Sequence, residues 1–446
     1  MQQKISFSSF LFIGVMLFAL FFGAGNLIFP ASLGQNAGQA LWPSICGFLI
    51  TGVGLPFLGI VAMGFSGSKN LQELASRVHP IYGIVFTSVL YLTIGPFFAA
   101  PRTGAVAYDI GFSSYVPSEY GKLALFLFTL LFFAVTYWLS LNPSKIVDRI
   151  GKIMSPAIII LLLVLLTVAF IKPIGAMEPP IADYATIPFF KGFLEGYNTM
   201  DVLSSLVFGI IVINSIRALG VTDNVQIMKA TAKTGVVAAG FLAIIYIGIA
   251  YLGASSTGTF GLFDTGGPVL SQASSYYFGT FGTVLLAIII LLACLTTSIG
   301  LVTACGEYFN SLFPRISYKA YVTFFSLFCF VVSNFGLDNI ITYSIPVLLF
   351  LYPLAVVLML LTFLSPLFLH ARVVYVCATI VAFLISIVDG IDSLYESLGN
   401  SQPAWLQGMT GFLEKALPLY SYGLGWVLPV VVVILISGLL VRIIRN

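Results

Sequence analysis

Leu20-Phe21-Phe22-Gly23-Ala24-Gly25-Asn26-Leu27-Ile28-Phe29-Pro30 lies in the middle of the first long apolar run, roughly residues 8–33, and its reading decides the fold. A continuous spanning helix would carry Leu, Ile or Val there, but this stretch carries two glycines, an asparagine and a proline. A helix that opens inside a bilayer exposes bare N–H and C=O groups, which hydrocarbon tolerates only where they line a cavity within protein. The expected opening, at Gly23 to Gly25, therefore marks a binding site. Carbonyls ending the first half-helix can hold a cation. The N–H groups opening the second half face an anionic group such as a carboxylate.

Composition points the same way. Of 446 residues, 59% are hydrophobic and 8% charged, against about a quarter charged in soluble domains. The chain reads as an all-α polytopic membrane protein embedded in the lipid bilayer, with length for about a dozen spans of roughly 20 residues. The net charge of +3, spread among loops, argues against nucleic acid as a partner. Cys46, Cys294, Cys305, Cys329 and Cys377 show no CxxC spacing and read as packing residues. No metal cluster or nucleophile–base pair is legible, so an enzyme is not expected. The N-terminal run lacks an A-x-A site and reads as a retained span. No tail or soluble module suggests an obligatory protein partner.

Apolar runs between polar loops give twelve spans: roughly 8–33, 41–65, 80–109, 121–141, 151–171, 190–216, 233–254, 279–306, 317–335, 339–364, 371–388 and 420–441. With the N-terminus in the cytoplasm, 14 of the 19 basic residues fall on that side, which favours both termini inside. They include Lys4, Lys145, Arg149, Lys152 and Arg445; Arg102, Lys122, Lys172, Lys191 and Lys415 fall outside. The loop 255–278, rich in small residues, is either a lid over an outer vestibule or a solvated connector. The other long outer loops are 172–190 and 389–419.

If spans 1–5 and 6–10 are one unit used twice, the odd count inverts the second copy, and span 6 should be interrupted like span 1. The run 190–217 carries Gly196, Tyr197, Asn198, Thr199, Asp201, Ser204, Ser205 and Gly209. A break fits either 196–201 or 204–209, and the second is preferred as nearer the centre. Span 8 carries Thr296, Thr297 and Ser298 in succession. Hydroxyls beside exposed carbonyls supply hard oxygen ligands for sodium; the alternative is bonding back along their own helix.

Gly23 to Pro30 resembles the first-helix signature of the LeuT-type sodium symporters, Leu295 to Gly300 their eighth-helix sodium motif, and Ser205 to Gly209 their sixth-helix break. Over nearly the whole chain the closer likeness is to the bacterial branched-chain amino acid:cation symporter family. It is carried by Phe21 to Pro30, by Gly95-Pro-Phe-Phe-Ala-Ala-Pro-Arg-Thr103, and by Glu195 to Asp201. The resemblance implies a LeuT-like 5+5 inverted repeat at 1–171 and 172–364, with two additional helices at 365–446. It implies uptake of leucine, isoleucine and valine across the bacterial cell membrane, driven by sodium or protons. Carried over, the sodium ligands are the carbonyls of Ala19, Phe22 and Ala293 with the hydroxyls of Thr296 and Thr297. Ala24, Gly25 and Asn26 present N–H groups to the substrate carboxylate, and Ser205, Phe208 and Gly209 line the pocket. Leu203 stands where a threonine would serve a second sodium, and span 7 lacks a matching asparagine, so one Na+ is expected.

Asp201, an acid within a span, either binds the substrate ammonium, faces the vestibule or caps a helix. Arg102 either closes an outer gate by pairing with Asp201 or Asp109, or snorkels to the headgroups. Phe97, Phe98 and Tyr91 are candidate pocket walls. The rival functions are a proton-coupled permease for another zwitterion or a nucleobase, with Asp201 titrating, and a transporter-like nutrient sensor.

Overall fold

The computed structural model describes residues 7–142 and 154–445. Lys4, Lys145, Arg149 and Lys152, counted above for orientation, and the first residues of the expected span 151–171 lie outside them. Among the described residues every regular element is helical. Among those same described residues, with the stretch Ala24–Ser66 taken as one, nine helices are long and apolar enough to cross a membrane, and three shorter apolar helices accompany them. This is a multi-pass membrane protein.

Span 1 consists of Phe7–Phe21 and Ala24–Ala37, separated by Phe22 and Gly23. The opening thus falls at the early edge of the expected Gly23 to Gly25 window. Pro30 sits inside the second half without ending it. Span 2 (Leu41–Ser66) follows through a single turn of 3-10 helix and widens into a π-turn at Ile50–Gly54. Span 3 runs from Pro80 to Gly111 and bends at Gly95-Pro96, where Gly95 leaves helical geometry at ψ −113°. A methyl at Gly95 would strike the Cys305 sulfur of span 8. Glycine is what allows that close approach.

Span 6 corrects one expectation. Its helix Pro188–Glu195 ends in a 3-10 turn at Gly196–Thr199, and a second helix, Asp201–Ala218, runs unbroken through 204–209. The break is therefore at 196–200, with Met200 buried in the left-handed region at φ 64°. A non-glycine residue held there costs on the order of 1–3 kcal/mol and is found where surrounding structure over-determines the backbone. The small residues of 204–209 serve packing instead. Ser205 fits against Gly59, and a methyl on Gly209 would lie 2.8 Å from Met63, both contacts with span 2.

Span 7 extends to Phe260, and span 8 is preceded by a helical arm from Gly266 that turns sharply at Gly279, φ 58°. The loop 255–278 is therefore largely helix. The arm folds back: Gly266 abuts the Ile28 carbonyl of span 1, and Gly267 abuts Ile110 of span 3. Spans 9 to 12 are Tyr318–Ser333, Leu337–Leu364, Arg372–Ser397 and Val427–Arg445. The expected loop 389–419 is shortened by the longer span 11 and contains the helix Ala404–Ala416. Span 11 packs on spans 10 and 12, away from the breaks.

The two broken spans occupy the centre. The first half of span 1 and its second half both lean on span 7, while the second half of span 6 leans on span 2. At the span 1–span 7 contact, Gly34 meets the Ala250 carbonyl and Gly253 meets the Ala31 carbonyl. Backbone touches backbone there.

Candidate functional site

The break in span 1 is closed locally and across to two other spans. Asn26, three residues into the second half, accepts a hydrogen bond on Oδ1 from the Gly23 N–H at 3.1 Å, so it caps its own helix. Its Nδ2 donates to Asp201 Oδ2 at 2.6 Å and is in contact with the Tyr246 hydroxyl. Tyr246, on span 7, donates to the same Asp201 oxygen at 2.8 Å. Asp201 is the first residue of its helix, yet its carboxylate is spent across the interior rather than on a cap of its own helix; the N-cap is Met200, which makes no side-chain cap bond. Asn26 and Asp201 are each 2% exposed and Tyr246 is fully buried. A buried polar triad of this kind is stable only when its members satisfy one another.

Arg102 comes from span 3, seven residues past Gly95, where Ser333 of span 9 donates to the preceding Pro101 carbonyl at 2.6 Å. At 3% exposure it does not snorkel. Its Nη1 donates to the Asn198 carbonyl at 2.9 Å and Nη2 reaches the Thr199 carbonyl at 3.5 Å. The expected acid partners are replaced by backbone: neither Asp201 nor Asp109 forms an ion pair with it among the described residues. The guanidinium thus ties span 3 to the carbonyls freed by the break in span 6. Tyr352 of span 10 does the same for the Tyr197 carbonyl at 2.7 Å.

On the other side of the span 1 break stands span 8. Thr296 Oγ1 shares its one proton between the Ala293 carbonyl of its own helix, 2.9 Å away, and the Ala19 carbonyl of span 1, 2.8 Å away. Thr297 Oγ1 donates to the Leu20 carbonyl at 3.0 Å. Bonding back along one helix accounts for only one of these three contacts. The other two cross to the last turn of the first half of span 1, whose carbonyls have no helical partners beyond the break. Ala19, Ala293, Thr296 and Thr297 are therefore brought together, Leu20 joins them, and Phe22 lies in the break itself. Carbonyl and hydroxyl oxygens without a formal charge suit a hard monovalent cation.

Phe208 packs edge-on to Phe21, with ring centroids 5.7 Å apart, and lies near Gly300. Ser205 and Gly209 face span 2, and Ser205 Oγ donates to the Val202 carbonyl at 2.6 Å. Phe97 points outward, 40% exposed, and with Phe98 lines a groove toward spans 9 and 10. Tyr91 stacks on Tyr308 at 4.4 Å. Tyr246 and the Leu20 carbonyl were not anticipated; Tyr246 is one of two tyrosines, with Tyr251, in the apolar stretch of span 7, and nothing in the sequence sets it apart from the other.

Two interrupted helices meeting across a buried polar triad, with a hydroxyl pair on a third helix bonded to one break, define a LeuT-like helical transporter fold. The family model described as branched-chain amino acid transport protein matches residues 6–444, and the chain belongs to that family. It is 48% identical over 432 residues to the branched-chain amino acid permease BraB of Bacillus subtilis, covering 97% of this chain and 95% of that one. It is 41% identical to the branched-chain amino acid transport system 2 carrier protein of Pseudomonas aeruginosa, over 95% and 94% of the two chains. Among solved structures, MhsT in complex with L-phenylalanine superposes with TM-score 0.58 at 17% identity, over 96% of this chain and 98% of that one. A manganese transporter of Eremococcus coleocola gives 0.62 at 14%, over 97% and 94%. At those identities the likeness is one of fold.

Proposed function

We propose that this protein imports branched-chain amino acids, leucine, isoleucine and valine, by cation-coupled symport with alternating access. The relatives named as permeases and carriers of these amino acids support the substrate. The observation that carries the coupling is the pair of crossing bonds from Thr296 and Thr297 to the Ala19 and Leu20 carbonyls. One sodium ion is held between spans 1 and 8 by the carbonyls of Ala19, Phe22 and Ala293 and the hydroxyls of Thr296 and Thr297. On ion entry the two hydroxyl protons turn away, lone pairs face the ion, and the first half of span 1 is drawn to span 8. The substrate carboxylate meets the N–H groups of Ala24, Gly25 and Asn26, its ammonium meets Asp201, and Phe208 borders the apolar side chain. Arg102 closes the site by bridging span 3 to the span 6 break.

The chain crosses the membrane twelve times with both termini in the cytoplasm, as a 5+5 inverted repeat with two further helices. Reciprocal contacts of span 1 with span 7 and span 6 with span 2 support the repeat. Uptake of labelled leucine into proteoliposomes, with sodium and proton gradients imposed separately, tests substrate and ion together. In Thr296→Ala with Thr297→Ala, sodium stimulation should vanish while the protein remains folded; undiminished stimulation rejects the site. A proton-coupled reading is favoured by one observation, the burial of the Asp201 carboxyl, 2% exposed, within a spanning helix. Uptake that follows an imposed proton gradient and ignores sodium selects it.

A further inference from the structure

We infer that Arg102 is the cationic partner of the substrate's α-carboxylate, so that transport demands a free carboxylate on the cargo; this rests on the proposed amino acid substrate. The guanidinium lies against the first turn of the second half of span 1. A methyl on Gly25 would sit 2.7 Å from Nη2 and 3.3 Å from Cζ. That turn is the positive end of a 14-residue helix, and a guanidinium facing it sets like against like. What holds Arg102 there is neutral: the Asn198 and Thr199 carbonyls, and the Phe29 ring 5.3 Å from Cζ. Its Nε, buried, has no hydrogen-bond partner.

Asp201 is engaged elsewhere, with Asn26 and Tyr246 on its Oδ2. Two ionisable groups of opposite sign are thus buried near one helical turn, each held by neutral groups and not bonded to the other. Unpaired buried charge is costly. A zwitterion laid over Gly25 and Asn26 removes both costs at once. Its carboxylate takes the guanidinium fork and the helix N–H groups, and its ammonium takes Asp201. The planar fork of Arg fits a carboxylate bidentately, which a lysine ammonium does not reproduce.

The test is equilibrium binding of L-leucine and of L-leucinamide, which keeps the ammonium and side chain but lacks the carboxylate, to the full-length protein in lipid. Wild type should favour leucine strongly. In Arg102→Gln, leucine binding should weaken by about 10-fold or more, the range for a lost charged hydrogen bond, while leucinamide binding is unchanged. Arg102→Lys should fall between them and carries the same comparison if the glutamine variant fails to fold. Equal losses for the two ligands, or an unaltered ratio, overturn the inference and leave Arg102 a gate alone. A folded wild type that binds no branched-chain amino acid overturns the proposed function and this inference with it.

Discussion

Gly23→Ala isolates the link between the break and the ion. Gly23 adopts φ −122° and ψ −152°, extended backbone open to alanine, so the substitution brings no backbone strain. The obstacle is steric. The new methyl would lie 2.7 Å from Thr297 Oγ1, 3.0 Å from its Cβ and 3.1 Å from its Cγ2, all on one side chain. Relief requires Thr297 to rotate or span 8 to retreat, and either moves the hydroxyl off the Leu20 carbonyl. Overpacking of this kind costs about 1–3 kcal/mol. If that cost falls on the ion-bound arrangement, the sodium concentration giving half-maximal leucine uptake rises by roughly 5- to 150-fold. The assay is the sodium dependence of initial uptake rates in proteoliposomes at fixed membrane potential. The same substitution on a Thr297→Ala background meets far less obstruction, so its added effect should be small, a non-additivity a double-mutant cycle reads directly. An unchanged sodium dependence in folded Gly23→Ala, or an effect equally large with and without the Thr297 side chain, would refute the reasoning.

Tyr246→Phe deletes a donor to a buried carboxylate, a loss of about 1.5–3 kcal/mol for a charged hydrogen bond; half-saturating leucine should rise at least several-fold while half-saturating sodium moves little, measured in the same uptake assay. Asp201→Asn separates the two coupling readings. If Asp201 carries a coupling proton, proton-driven accumulation is lost while counterflow exchange of labelled leucine survives; if it anchors the ammonium, counterflow is lost as well.

The break in span 1 was legible because glycines, asparagine and proline have no business in a lipid-facing helix. The break in span 6 was misplaced for a related reason. Ser204, Ser205 and Gly209 look like an interruption, but small residues also permit close helix packing, and against Gly59 and Met63 that is their use. The true opening turns on Met200 in a left-handed conformation, and methionine has no preference that would announce it. The threonines of span 8 could be paired with span 1 from their hydroxyl chemistry, although which carbonyl each would find depended on the helix rotation: Leu20 for Thr297. Arg102 was read either as a gate partner for an acid or as a side chain snorkelling to the headgroups; the freed carbonyls of Asn198 and Thr199 that it meets instead only exist once the fold has broken span 6. Span 7 was read only for the asparagine it lacks, and Tyr246 was not considered.

The glycine contacts along the second half of span 1 have a mechanical consequence. With Gly34 against the Ala250 carbonyl, Gly253 against the Ala31 carbonyl and Gly266 against the Ile28 carbonyl, three stretches of main chain are pressed together with no side chain between them to act as a bearing. Close approach of main chain at three points ties the second half of span 1, span 7 and the arm ahead of span 8 to one another. The first half of span 1 is held to the same helix, with Gly14 against Val237 and the Thr234 carbonyl, so span 7 splints both halves across the two-residue gap at Phe22 and Gly23.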